Sequence, residues 1–372
     1  MTALWIILFI LALLFMILIH EGGHFFAAKA VGIRAEQFSI GFGPEIVGWD
    51  RGGTRYSIKW ILAGGSVRIL GMDPGEEISE EDRPYSYKSA PYWKRAVVIL
   101  AGSFAQVLFA LIILYLLFWP IGVPELSPTS RAGNVEPTIE IVNAKKVVVK
   151  APGPASQAGI KKGDVITEVD GIRVHTWDEM TKQIRKRPGE SVTLTARRGS
   201  KVLQFNARLL SVDNVGILGV QRSTYIKRSN PIGAVWESLR MMGVLTAGMA
   251  KAFVSLFSVR NLKVLFGTAP RTVDSPRSIF GAGQVAVQQA RLAFAYFLMI
   301  IAYFYIFLAA FNLIPLPPFD GGHLLVIVYE KVFKREIDMR KLAPIAWIVL
   351  IILIFVAGRL FILDIFNPLP PP

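Results

Sequence analysis

The chain has 372 residues, 53% of them hydrophobic, with 41 Lys and Arg against 27 Asp and Glu and no cysteine. Its positive mean hydropathy, concentrated in a few long uncharged blocks, excludes a purely soluble protein. The lack of cysteine excludes disulfides, a thiol nucleophile and a cysteine-held metal. The net charge of +14 is spread over loops, which points to an anionic membrane surface and away from nucleic acid.

In chain order, the first apolar block runs from about Ala3 to Ile19 and continues past His20. It has no basic leader and no small-residue cleavage site, so it reads as a retained helix rather than a signal peptide. Region 55–72 carries two short apolar-aromatic strands, within Arg55–Leu70, flanking Gly64-Gly65; this predicts a membrane-associated β-hairpin with its turn at the glycines. Asp73–Asp82 is acidic and reads as a solvated loop. A second span covers Ala96–Pro120. Residues 139–222 predict a compact α+β module, with strands at Val147–Val149, Val165–Val169, Val192–Ala196 and Leu203–Leu209 and a short helix at Trp177–Arg185. Pro231–Phe257 has apolar residues at helical spacing and predicts an amphipathic helix, either on the outer membrane face or packed on the inserted module. Leu292–Pro318 is a third span, and Leu342–Gly358, extended by Leu360–Leu363, a fourth.

The expected fold is therefore a multi-pass α-helical membrane protein with four transmembrane helices, a membrane-associated hairpin and an inserted extracytoplasmic domain. Its parts are 1–120, a first membrane half; 121–225, the inserted domain; 226–291, a linker at the outer face; and 292–372, a second membrane half. Lys and Arg number ten in 29–95 and five in 331–341, with none before the first span or after Leu363. That bias puts 29–95 and 331–341 in the cytoplasm and both termini outside.

The chemistry lies in His20-Glu21-Gly22-Gly23-His24. Residues i and i+4 share one helix face, so both imidazoles reach one zinc, while Glu21 stays close enough to act as a general base. Ionisable groups on a membrane helix are costly and functional by default, which outweighs the alternative of a polar cluster that merely joins helices. Catalytic zinc needs a third protein ligand. At 1.5 Å per residue His20 lies about 28 Å along its helix, near the cytoplasmic boundary. The third span ends at that boundary with Asp320, just after helix-breaking prolines, which makes Asp320 the expected third ligand. His323 is its rival on ligand chemistry, and Asp320-Gly321-Gly322 could also be a simple turn.

HExxH on the first span, Gly64-Gly65, the inserted module and NxxPxPxxDGG from Asn312 to Gly322 together resemble the site-2 protease family, in particular the bacterial regulator of sigma-E proteases. Pro154–Ile166 with Val169-Asp170-Gly171 resembles a bacterial PDZ domain, a module that binds peptide ends. The resemblance implies a zinc endopeptidase of the bacterial inner membrane. Its expected substrates are single-pass membrane proteins, such as an anti-sigma factor or a signal-peptide remnant. It also implies His20, His24 and Asp320 as zinc ligands, Glu21 as catalytic base, and Asn312, Gly64, Gly65 and Gln106 as substrate-binding positions. Gly102-Ser103-Phe104-Ala105-Gln106 departs from the family's GPxxN, with a longer amide at Gln106. A non-proteolytic peptide receptor with a vestigial metal site is the alternative; a metal transporter fits less well, because the second and fourth spans carry almost no polar residues.

Overall fold

The computed structural model describes residues 2–73, 75–142, 148–256, 258–272, 275–337 and 339–368. The chain forms two compact units, Met1–Ile121 with Arg228–Pro372 and Gly122–Lys227. Its helices are α1 Thr2–Ala30, α2 Tyr92–Leu116, α3 Pro154–Gln157, α4 Trp177–Arg185, α5 Pro231–Leu256, α6 Val259–Leu265, α7 Ile279–Leu292, α8 Phe294–Asn312, α9 Asp320–Phe333 and α10 Ala343–Phe366. Of these, α3 and α4 belong to the second unit.

Among the described residues, five helices are long and apolar enough to cross a membrane, those within Ala3–Ala30, Tyr92–Ile121, Pro231–Leu256, Phe294–Asn312 and Arg340–Phe366. Four match the expected spans. The fifth is α5, whose only charges are Glu237, Arg240 and Lys251. It packs along α2 and α8, and its Thr246, Met249 and Phe253 share an apolar cleft with Phe307 and Phe311 of α8 and Ile314 just beyond it.

Helices α1 and α2 approach through glycine. A side chain at Gly23 would strike the Ala101 carbonyl and the Gly102 Cα, so neither position admits a larger residue without spreading the helices. Below this crossing, Phe25 and Ala28 of α1, Val98 and Ile99 of α2 and Ile327 of α9 close over Ile33, Ala35 and Ile69 in one buried core. Each large side chain fully buried there contributes about 1.5–3 kcal/mol.

The hairpin consists of β1, Ala35–Arg51, and β2, Thr54–Ile69. Its turn is Gly52-Gly53, both at positive φ (59° and 72°), and not Gly64-Gly65, which lie inside β2. Adjacent left-handed residues make the tight connection a hairpin requires, and glycine supplies them without strain. The ribbon then folds on itself: residues 37–40 pair with 55–58 on one side and 65–68 on the other, while 47–51 pair with 54–58. Residues 65–69 thus lie at an outer edge, paired with 35–40 on one side and with no strand on the other among the described residues.

In the second unit, Lys201–Arg208, Ser191–Arg198, Val165–Val169 and Ile172–Arg173 form a four-stranded sheet in that order. Val147 lies outside the described residues, and the strand in that region runs Val148–Pro152. A capping box, Thr176 with Glu179, starts α4, whose Met180 and Ile184 seal a core of Ile166, Val169, Val192 and Leu194.

Asp164 is 1% exposed and accepts from Arg198 Nε and Nη2 at 2.7 and 2.8 Å and from the Lys161 amide at 2.8 Å. Burial alone would raise its pKa, but these donors prevail and hold the carboxyl below its ordinary value. Asp164→Ala should cost this unit about 2–3 kcal/mol, read in the full-length protein as faster amide exchange confined to 122–227. The depressed pKa makes the stabilisation complete above the ordinary aspartate value of about 4 and lost as pH falls through the folded-state value. The wild type should therefore lose that protection in acid, and the variant should not.

Candidate metal centre

His20 and His24 stand one turn apart on α1, 9% and 8% exposed, with Nε2 atoms 3.2 Å apart. Asp320, the first residue of α9, brings Oδ2 to 3.4 Å from His20 Nε2 and 3.3 Å from His24 Nε2. A tetrahedral zinc with bonds of about 2.0–2.1 Å has ligand-to-ligand edges of roughly 3.3–3.4 Å, so this triangle suits three of its corners. Asp320 Oδ2 is buried and makes no hydrogen bond, an orphaned acceptor that a cation would satisfy.

The surroundings fix each atom. His24 Nδ1 donates to the Val98 carbonyl at 2.8 Å, which leaves Nε2 free to ligate. The Gly102 Cα lies against both imidazoles: a side chain there would collide with His24 Nε2 and reach within 2.8 Å of His20 Cε1. Asp320 is aimed by backbone contact. A side chain on Gly321 would strike the Leu313 and Ile314 carbonyls, and one on Gly322 would come within 2.6 Å of Pro317 N. The glycines of the DGG motif therefore serve close packing against the turn after α8, beyond a simple reversal of the chain.

Glu21 is half-buried, with its carboxylate beside the Val67 backbone amide. A Cβ added to Gly65 would lie 3.3 Å from Glu21 Cγ, so the outer edge of β2 runs directly past Glu21. Gly64, at φ +153°, packs against the Phe42 ring. Asn312, the last residue of α8, approaches His20 with Nδ2 3.3 Å from Nε2 and 3.5 Å from Nδ1. Gln106 is fully buried beside His20, and neither atom of its amide has a partner. His323 stands outside the triangle and lines a separate cavity with Tyr87, Arg95 and Glu330. Sequence reasoning missed the Val98 carbonyl and the Gly102 contact; the small residues Ala101-Gly102-Ser103 in an apolar span were the available signal for the second.

Residues 8–357 match the model of Peptidase family M50. The chain is 30% identical to zinc metalloprotease Rip1 of Mycobacterium tuberculosis, covering 98% of each protein. It is 31% identical to Rip1 of Mycolicibacterium smegmatis, covering 99% of each. To putative zinc metalloprotease Cj1068 of Campylobacter jejuni it is 28% identical, over 89% of this chain and 85% of that one. The chain belongs to peptidase family M50: it is a multi-pass membrane zinc metalloprotease of the site-2 type.

Two measurements of bound zinc check the ligand set. Asp320→Ala should strip the metal while His323→Gln keeps about one zinc per chain; the reverse outcome would make His323 the third ligand. Gly102→Ala, which changes no ligand, should weaken zinc binding roughly 10–100-fold by displacing the imidazoles.

Proposed function

We propose that the chain is an intramembrane endopeptidase that hydrolyses a peptide bond within or near the membrane segment of single-pass proteins. Anti-sigma factors and signal-peptide remnants are the substrate classes. The observation that carries this reading is the place of Glu21, between the His–His–Asp triangle and the unpaired edge of β2. A peptide added to that edge would run past the metal and the carboxylate together.

In this reading His20, His24 and Asp320 hold the zinc. Bound there, zinc supplies Lewis acidity and a water activated near neutral pH. Glu21 takes the water proton and passes it to the departing amide nitrogen. A helical peptide bond is shielded by its own hydrogen bonds, so the substrate must unwind before it is cut. Pairing with Gly65–Ile69 replaces the lost bonds, and Gly64 and Gly65 let its backbone come close. Asn312 and the unpartnered amide of Gln106 supply a donor and an acceptor for the same unwound segment.

The second unit acts as a PDZ-like domain outside the cytoplasm. It has a cavity of about 450 Å³ between α4 and residues 216–221, with Ile139, Met180 and Leu218 in its walls, suited to an extended peptide end. The working topology keeps four spans with both termini outside, and treats α5 as a helix packed on the bundle.

The test uses wild type and Glu21→Gln in liposomes with a tagged single-pass peptide bearing a short outer stub. Wild type should cut within the membrane segment. Glu21→Gln should retain zinc and lose about 10²–10⁴ of the rate. A variant that cuts at the wild-type rate would remove Glu21 from the mechanism. Zinc-loaded wild type that never cuts, across several stub lengths, would favour the receptor reading.

A further inference from the structure

Asp73–Asp82 holds six of the 27 acidic residues of this strongly basic chain and no Lys or Arg. Its Asp73, Gly75, Glu76 and Ile78 line one lip of a cavity of about 480 Å³, with Glu77 between them in the chain; the other walls include the start of α2 and the length of α9. His323, one turn beyond Asp320 on α9, lines this cavity, so it abuts the metal centre.

The charges at its mouth are unbalanced. Glu76 is engaged by the Gly71 amide at 2.7 Å and Arg68 at 3.3 Å, Asp82 by Arg34, and Glu80 by Arg83 at 3.4 Å. Inside, Glu330 is matched by Arg95 at 2.7 Å. Glu77, Glu81 and, across the mouth, Glu336 form no ion pair among the described residues, and Asp73 only a loose one with Arg68 at 4.0 Å. The cations beside these groups are Lys88 and Arg95 in the cavity wall, Arg335 next to Glu336 in the chain, and Arg340, whose guanidinium lies against Gly75. The cavity also holds an orphan acceptor. Tyr87 lines it, is 5% exposed, and its hydroxyl makes no well-formed hydrogen bond, with the Arg95 guanidinium its one close polar neighbour among the described residues. Burial pushes this phenol up to about 12, so it stays neutral.

We propose that this acidic lip and cavity dock the Lys- and Arg-rich cytoplasmic flank of the substrate's membrane segment. Single-pass proteins carry that basic excess at their cytoplasmic boundary whatever their sequence elsewhere, so the recognised chemistry is common to the class. Free carboxylates at the mouth receive ammonium or guanidinium groups, and the Tyr87 oxygen accepts one more hydrogen bond inside. The inference rests on the proteolytic reading with 29–95 cytoplasmic, and adds a determinant of which bond reaches the zinc.

The test is binding to full-length Glu21→Gln in liposomes, using two fluorescent single-pass peptides that differ only in a Lys/Arg or a Gln cytoplasmic flank. The basic flank should bind roughly fivefold tighter at low salt, and the preference should shrink as salt rises. Adding D73N, E77Q, E81Q and E336Q should abolish the preference while leaving binding of the Gln-flanked peptide unchanged, which also reports correct folding. Tyr87→Phe should reduce it in part. Equal binding of the two peptides, or a preference that survives the four substitutions, overturns the proposal. A flank preference in a protein whose wild type never cuts would support docking while the proteolytic reading fails.

Discussion

Three polar atoms confined within 3.4 Å of one another, in a largely apolar bundle, are the constraint on which the first unit is built. Without a cation, the Asp320 carboxylate oxygen is stranded and two imidazole nitrogens face it with no better partner. With one, the same crowding becomes favourable coordination. The glycine contacts of α1 with α2, the packing of Gly321 and Gly322 against the preceding turn, and the core around Phe25 and Val98 all restrict motion of those atoms.

The periphery of the bundle is tied by polar contacts of another kind. Arg95 joins α2 to Glu330 on α9. Asp364, near the end of α10, accepts from Arg271 at 2.5 Å and from the Ser278 amide and hydroxyl at 2.7 and 2.6 Å, capping the start of α7. Arg359 donates to the Leu265 carbonyl at the end of α6. An anion at a helix N-terminus and a cation at a C-terminus complement the helix dipoles. Desolvation offsets much of the attraction in such buried pairs, so their contribution lies more in register than in net stability.

Much of the site is legible in the sequence because its spacing is set by helix geometry. His20 and His24 must share a face, and Asp320 follows from depth and direction of the third span. Trp177–Arg185 is readable because a capping box and a period near 3.6 agree. The hairpin is not, because its first strand, Ala35–Arg51, mixes glycine with charge and lacks the alternation that marks a half-buried strand. Gly64-Gly65 therefore competes with Gly52-Gly53 as the turn, and only pairing partners distant in sequence decide between them. The Val98 carbonyl is invisible for a simpler reason: a backbone acceptor leaves no mark on residue type. Span counting is ambiguous at α5, where three charges in 26 residues suit a surface helix or one packed on a bundle.

The open edge of β2 has a consequence for handling the purified protein. The ribbon that carries it also exposes Phe42, Trp49, Trp60, Ile61 and Leu62. An open strand edge beside an apolar surface is a template for the equivalent strand of another molecule. In dilute bilayers copies seldom meet. In concentrated detergent the same edge favours self-association, so preparations made with a strand-forming inhibitor present will be more monodisperse than those made without it.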